Sequence, residues 1–157
     1  MIRRTLFSHG GLEERLFIPI EVFPENPEKT VLHFRKDFVA RFPTCGKDTP
    51  SIDLAVLGMG EDGHTASLFP GSDWNQGFDD KAFFRAFHLP HPAGTRYSLT
   101  WKALLAAKKI VFLVTGKRKA PMVGKVLSGE VPDLPAGALA LERETFWLLD
   151  PEASGGI

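Results

Sequence analysis

Two apolar runs constrain this chain more than any other feature: Ile52-Asp53-Leu54-Ala55-Val56-Leu57-Gly58 and Ile110-Val111-Phe112-Leu113-Val114-Thr115-Gly116. Both are short, and neither shows the sustained apolar/polar alternation of a half-solvated strand. Runs of this kind are expected as strands of a parallel sheet, buried on both faces. Each also ends in an abrupt change of chemistry. The first gives way to GMGEDGHTASLFPG (58–71), the second to Gly116-Lys117-Arg118-Lys119.

Helical stretches separate the strands. KTVLHFRKDFVARF (29–42) places Val31, Phe34, Phe38 and Phe42 on one helical face, and Pro27 and Pro43 bracket it. WKALLAAKK (101–109) reads as a helix, as do residues 117–128, which stop at Gly129. RYSLT (96–100) and FWLLD (146–150) read as further strands, and PTCGKDTPS (43–51) as a loop. Strands alternating with helices predict one α/β domain over 1–157: a mostly parallel, Rossmann-like sheet with helices on both faces. In such sheets ligands sit beyond the carboxyl ends of the strands. Both polar clusters fall there, so each buried strand is expected to mount a working loop.

Bulk chemistry narrows the partners. Nineteen Lys and Arg balance nineteen Asp and Glu, so no global field draws the chain to nucleic acid or to a membrane surface, and charge selectivity has to be local. No window approaches the ~18 apolar residues of a membrane span. MIRRTLFSHGG lacks the apolar stretch of a signal peptide. The single cysteine, Cys45, forms no internal disulfide and suits a reducing compartment, so the cytoplasm is expected.

In the basic cluster, Lys117, Arg118 and Lys119 crowd the expected start of a helix, where the macrodipole is already positive. Two readings fit: free N–H groups and lysine cradling an anion, or a solvated basic turn. Glu61-Asp62-Gly63-His64 also has two readings. His64 in a glycine-rich loop suits proton transfer near neutral pH, with Asp62 two residues earlier to orient it. Equally, Asp62-Gly63 makes a good turn, with Thr65 or Ser67 capping a short helix over ASLF. His9, His33, His88 and His91 share no ligand spacing with His64, so no metal site is expected. GMGEDG carries only the first two glycines of a dinucleotide fingerprint, and no acid follows a second strand, so no nucleotide cofactor is expected. Arg96 alone reads as a solvated strand-edge arginine, and Trp74, Trp101 and Trp147 as packing residues.

Taken whole, DLAVLGMGEDGHTASLFPGS (53–72) is far more specific than its parts, and it resembles the 6-phosphogluconolactonase family. Arg96 in RYSLT matches that family's R-x-T/S-L-T strand, and TGKRKA matches its T-G-x-x-K-A turn with Lys119 in the lysine slot. LPAGAL, FWLLD and MIRRTLFSH resemble further family segments. The resemblance implies hydrolysis of 6-phosphoglucono-1,5-lactone to 6-phosphogluconate, with no metal or organic cofactor. It implies His64 as general base, positioned by Asp62, and a phosphate held by Arg96 and Lys119. Backbone N–H groups of the Gly58–Gly63 loop, with Gly60 and Gly63 as substrate-binding positions, are the candidates for holding the oxyanion.

Family members also carry an earlier S-G-G phosphate loop and an acid-acid-arginine motif, which this sequence does not contain. The resemblance therefore implies a family domain truncated at its N-terminus, with weak or no activity for these 157 residues alone and self-association through an exposed sheet edge as one way to cover the gap. Two rivals remain. An amino-sugar-phosphate deaminase/isomerase shares the G-x-D-G-H loop but follows it with an A-F-N-E-P-like run, where Ser67-Leu68-Phe69-Pro70 stands here. A non-catalytic phosphosugar-binding or assembly module is the other.

Overall fold

The computed structural model describes residues 13, 17–42, 51–75, 82–89 and 94–155. Expectations that rest on Met1–His9, Pro43, Cys45 and His91 lie outside them.

Three strands form the parallel sheet: β1 (Leu54–Leu57), β4 (Lys109–Val114) and β5 (Thr145–Leu149), in the order β1-β4-β5. The two apolar runs are neighbours, with Ala55 opposite Ile110 and Leu57 opposite Phe112. A separate antiparallel pair, β2 (Phe84–Leu89) and β3 (Gly94–Leu99), lies between β1 and β4 in the chain. RYSLT is thus a strand, as expected, but it belongs to this hairpin. The helices are α1 (Pro27–Arg41), α2 (Trp101–Leu105), α3 (Ala120–Leu127), α4 (Pro135–Glu142) and α5 (Pro151–Ser154). A 3₁₀ turn, Lys117–Lys119, precedes α3. WKALLAAKK gives only five helical residues, because the chain must extend at Lys109 to enter β4.

Helix α1 begins where Asn26 accepts the Lys29 N–H at 2.9 Å and Pro27 supplies a preset φ. Its phenylalanine face packs on the hairpin: Phe34 meets Phe84 at 4.1 Å between ring centroids, and Phe38 meets Phe83 at 5.3 Å. The main core is built on the parallel sheet. Ala55 and Leu57 of β1 and Ile110, Phe112 and Val114 of β4 pack with Val123, Val126, Leu139 and Ala153 of the helices. Each large aliphatic or aromatic side chain buried this way is worth ~1.5–3 kcal/mol. Trp74 and Trp101 pack edge to face in this core, and Trp147 stacks on Phe112, as their packing role predicts.

The sheet's coverage departs from expectation. β1 alternates exposed and buried residues, and β4 nearly so. Leu54, Val56, Leu113, Phe146 and Leu148 are between 49% and 59% exposed. The register puts all five on one face, since Val56 pairs with Val111, Val111 with Phe146, and Leu113 with Leu148. The apolar runs, expected to be buried on both faces, are therefore half-buried strands.

Candidate functional site

The loop after β1 is built to hold one imidazole in place. Gly60 N–H donates to the His64 carbonyl at 2.8 Å and Gly63 N–H to the Gly60 carbonyl at 3.2 Å. Thr65, fully buried, donates its hydroxyl to the Gly58 carbonyl at 2.8 Å and forms bridges with Met59 and Leu68. ASLF is therefore a bridged turn rather than a capped helix. Ala66 takes a left-handed φ of 52°, and the next N–H, of Ser67, donates to the buried Ser98 hydroxyl of β3 at 3.1 Å. From the far side, Ala136 N–H donates to the Gly63 carbonyl at 3.0 Å. Gly63 itself has φ +79°, and a Cβ there would press on Leu134. The LPAGAL segment thus buttresses the loop.

Inside this frame the His64 Nδ1 lies 2.6 Å from Asp62 Oδ1, and its ring stacks on Phe69 at 4.3 Å with an interplanar angle of 25°. Burial alone would raise the Asp62 carboxyl's pKa. The hydrogen bonds from the His64 backbone and ring, and the attraction of the ring's charge, outweigh it and hold that pKa below its ordinary value of 3.8. A Cβ on Gly60 would strike the His64 ring and the Asp62 carboxylate. Glycine at position 60 is therefore what lets the pair form.

The imidazole borders an open cleft of about 570 Å³, walled also by Gly58, Gly60, Ser98 and Lys119. Lys119 reaches it from the turn after β4. The structure thus brings together His64, Asp62, Gly60 and Lys119 at adjacent strand ends. Arg96 is not among the residues lining the cleft. Its Nη1 donates to the Thr95 carbonyl at 3.3 Å.

Two expectations about backbone donors are corrected. The N–H groups of Gly60 and Gly63 are spent closing their own loop, so they are not the oxyanion donors. The basic turn is not an open cradle either. Gly116 N–H donates to both Asp150 oxygens at 3.1 and 3.0 Å, Lys117 N–H to Glu152 at 3.4 Å, and Lys119 N–H to the Gly116 carbonyl at 3.0 Å. Arg118 reaches across to Glu61 at 3.1 Å, tying the two loops together at the surface. What the turn offers the cleft is the Lys119 side chain.

The sequence reading missed Phe69, Ser98 and Asp150. Phe69 sits in the D-G-H-T-A-S-L-F-P-G run and Ser98 two residues after Arg96, so proximity to the motifs was a signal for both. Asp150 acts on a turn 34 residues away, a pairing without local trace. Among the described residues no group of three His, Cys, Asp or Glu is placed to hold a metal ion, and no helix is long and apolar enough to cross a membrane.

The chain resembles known proteins along most of its length. Residues 1–147 match the family model described as glucosamine-6-phosphate isomerases/6-phosphogluconolactonase. A 6-phosphogluconolactonase of Nostoc sp. is 30% identical over 161 residues, covering 97% of this chain and 65% of that protein. The chain thus spans about 65% of the length of such relatives. In three dimensions it resembles the 6-phosphogluconolactonase of Trypanosoma brucei (TM-score 0.75, 24% identity, 99% of this chain and 65% of that one). It also resembles a monomeric glucosamine-6-phosphate deaminase (TM-score 0.73, 20% identity, 98% and 65%). Both structural likenesses speak to the fold alone. Carried by a match along nearly its whole length, the chain belongs to the glucosamine-6-phosphate isomerase/6-phosphogluconolactonase family.

Proposed function

We propose that this chain carries the proton-transfer centre of a lactonase that hydrolyses 6-phosphoglucono-1,5-lactone to 6-phosphogluconate. The observation that carries the reading is the His64–Asp62 pair at the edge of a cleft that Lys119 also lines. The names of its relatives support the same substrate.

The chemistry follows from which ring nitrogen is engaged. Asp62 accepts the Nδ1 proton, which leaves Nε2 as the basic nitrogen. Nε2 takes a proton from a water as its oxygen bonds to the lactone carbonyl carbon, and the carbonyl becomes an oxyanion. Collapse of that intermediate breaks the bond to the ring oxygen, which takes the proton back from Nε2 and leaves as the sugar hydroxyl. The acid released ionises to the carboxylate. Asp62 stabilises the imidazolium between the two transfers. Lys119 binds the substrate phosphate by charge, and Arg96 is its proposed second ligand by swinging away from the Thr95 carbonyl. The lone cysteine fits work in the cytoplasm.

The test is turnover of 6-phosphoglucono-1,5-lactone by the purified chain beside His64→Ala, with 6-phosphogluconate binding followed in both. Expected are binding of 6-phosphogluconate by both chains and, because the chain spans about 65% of the length of its relatives, a weak hydrolysis that falls ~10²–10⁴-fold without the base. A measurable rate that is equal in the two chains, or release of ammonia from glucosamine 6-phosphate in place of lactone hydrolysis, would overturn the reading.

A further inference from the structure

The turn that delivers Lys119 to the cleft is held from outside as well as by its own segment. Its first residue, Gly116, has φ +94° and no side chain with which to fix itself. Both oxygens of Asp150, at the carboxyl end of β5, accept its N–H at 3.1 and 3.0 Å. Oδ1 also accepts the Ala153 N–H at 2.7 Å, capping α5. The Asp150 backbone N–H donates to the Val114 carbonyl of β4 at 3.4 Å, so the acid is anchored to the strand whose turn it grips. Gly116 in turn holds Lys119, by the 3.0 Å bond from the Lys119 N–H to the Gly116 carbonyl.

Capping α5 needs only the Ala153 bond. The two contacts to Gly116 do something else: they relay from β5, through Gly116, to the backbone of Lys119. We propose that Asp150 is a positioning residue for phosphate recognition, setting where the Lys119 ammonium stands in the cleft without touching substrate itself. This rests on the phosphosugar reading above.

Serine separates the two roles, since it is a good cap for α5 but too short to span to Gly116. Titration calorimetry with 6-phosphogluconate, and with gluconate as the unphosphorylated control, compares the wild-type chain, Asp150→Ser, Asp150→Asn, Lys119→Ala and the Asp150→Ser/Lys119→Ala double variant. Amide exchange at Gly116 is followed by NMR in each. Expected is a loss of 6-phosphogluconate affinity of about tenfold in Asp150→Ser, on the scale of one charge-assisted hydrogen bond. The double variant should bind no more weakly than Lys119→Ala alone. Gly116 exchange should accelerate in Asp150→Ser, and Asp150→Asn, which keeps an acceptor in reach, should restore most of both readouts. Wild-type affinity in Asp150→Ser, unchanged Gly116 exchange, or losses that simply add in the double variant would overturn the proposal. If the wild-type chain fails to prefer 6-phosphogluconate over gluconate, the phosphosugar reading fails instead, while Gly116 exchange still reports whether the Asp150 grip exists.

Discussion

The Nδ1 of His64 lies 2.6 Å from Oδ1 of Asp62, and that same oxygen accepts the His64 backbone N–H at 3.2 Å. One carboxylate oxygen therefore fixes both the residue's backbone and its ring, and it does so from only two positions away. The ring is left one degree of freedom, rotation about the axis through that contact, and Phe69 stacked against its face removes most of it. Asp62→Asn is expected to lower kcat about 10²-fold with KM little changed. The loss should fall short of the ~10⁴-fold that follows when a buried aspartate sets the tautomer, because the Asp62 side chain is 52% exposed and water shares its task. Steady-state kinetics decide it, and a loss confined to KM would contradict the orienting role.

The same pair sets a pH dependence of stability. The folded Asp62 carboxyl holds its proton less tightly than its ordinary value of 3.8, so the unfolded chain binds more protons near that pH. The stabilisation is fully present above the unfolded value and is lost as pH falls through the folded one. The difference in Tm between the wild-type chain and Asp62→Asn should therefore be steady near neutrality and narrow on acidification below ~pH 4. Thermal melts of both chains across that range test it, and a gap that widens on acidification would reverse the assigned sign.

Gly60 shows how a glycine can serve a neighbour's geometry rather than its own backbone. Its φ is not in the left-handed region, yet a Cβ there would overlap the His64 ring and the Asp62 carboxylate. Gly60→Ala should cost ~1–3 kcal/mol of stability, the range for forcing extra volume into a packed site, and should cut lactone hydrolysis at least as severely as Asp62→Asn. Gly58→Ala is the control, since a Cβ at Gly58 meets nothing within 4 Å. Equal effects at the two positions would show that loop flexibility, not room for the imidazole, is what glycine supplies.

Much of this site was legible in the sequence because its parts are local. Asp62 and His64 sit two residues apart in one loop, and the phenylalanines of α1 repeat at helical spacing. The apolar runs ending in polar clusters placed both loops at the carboxyl ends of adjacent parallel strands. What stayed hidden depends on partners far along the chain. The cations at 117–119 suggest open N–H groups, but the acids that occupy them arrive from Asp150 and Glu152. RYSLT reads as a strand without revealing that it pairs with Phe84–Leu89 in a hairpin of its own. Position in a strand did not tell where Arg96 would send its long side chain. Nor does an apolar run state how many of its faces are covered, since burial belongs to the neighbours and not to the strand.

That last point gives a prediction that contrasts two adjacent strands of one sheet. Phe112 of β4 is fully buried and stacks on Trp147, whereas Leu148 of β5, on the opposite face, is 58% exposed. Phe112→Ala removes a large buried ring and should cost ~3–5 kcal/mol. Leu148→Thr exchanges one strand-compatible side chain for another in solvent and should fall within about 0.5 kcal/mol of the starting stability. Urea unfolding of the purified chain measures both. If Leu148→Thr costs as much as a core truncation, the apolar face that Leu148 shares with Val56 and Leu113 is covered in solution, and burying it is part of how the chain folds.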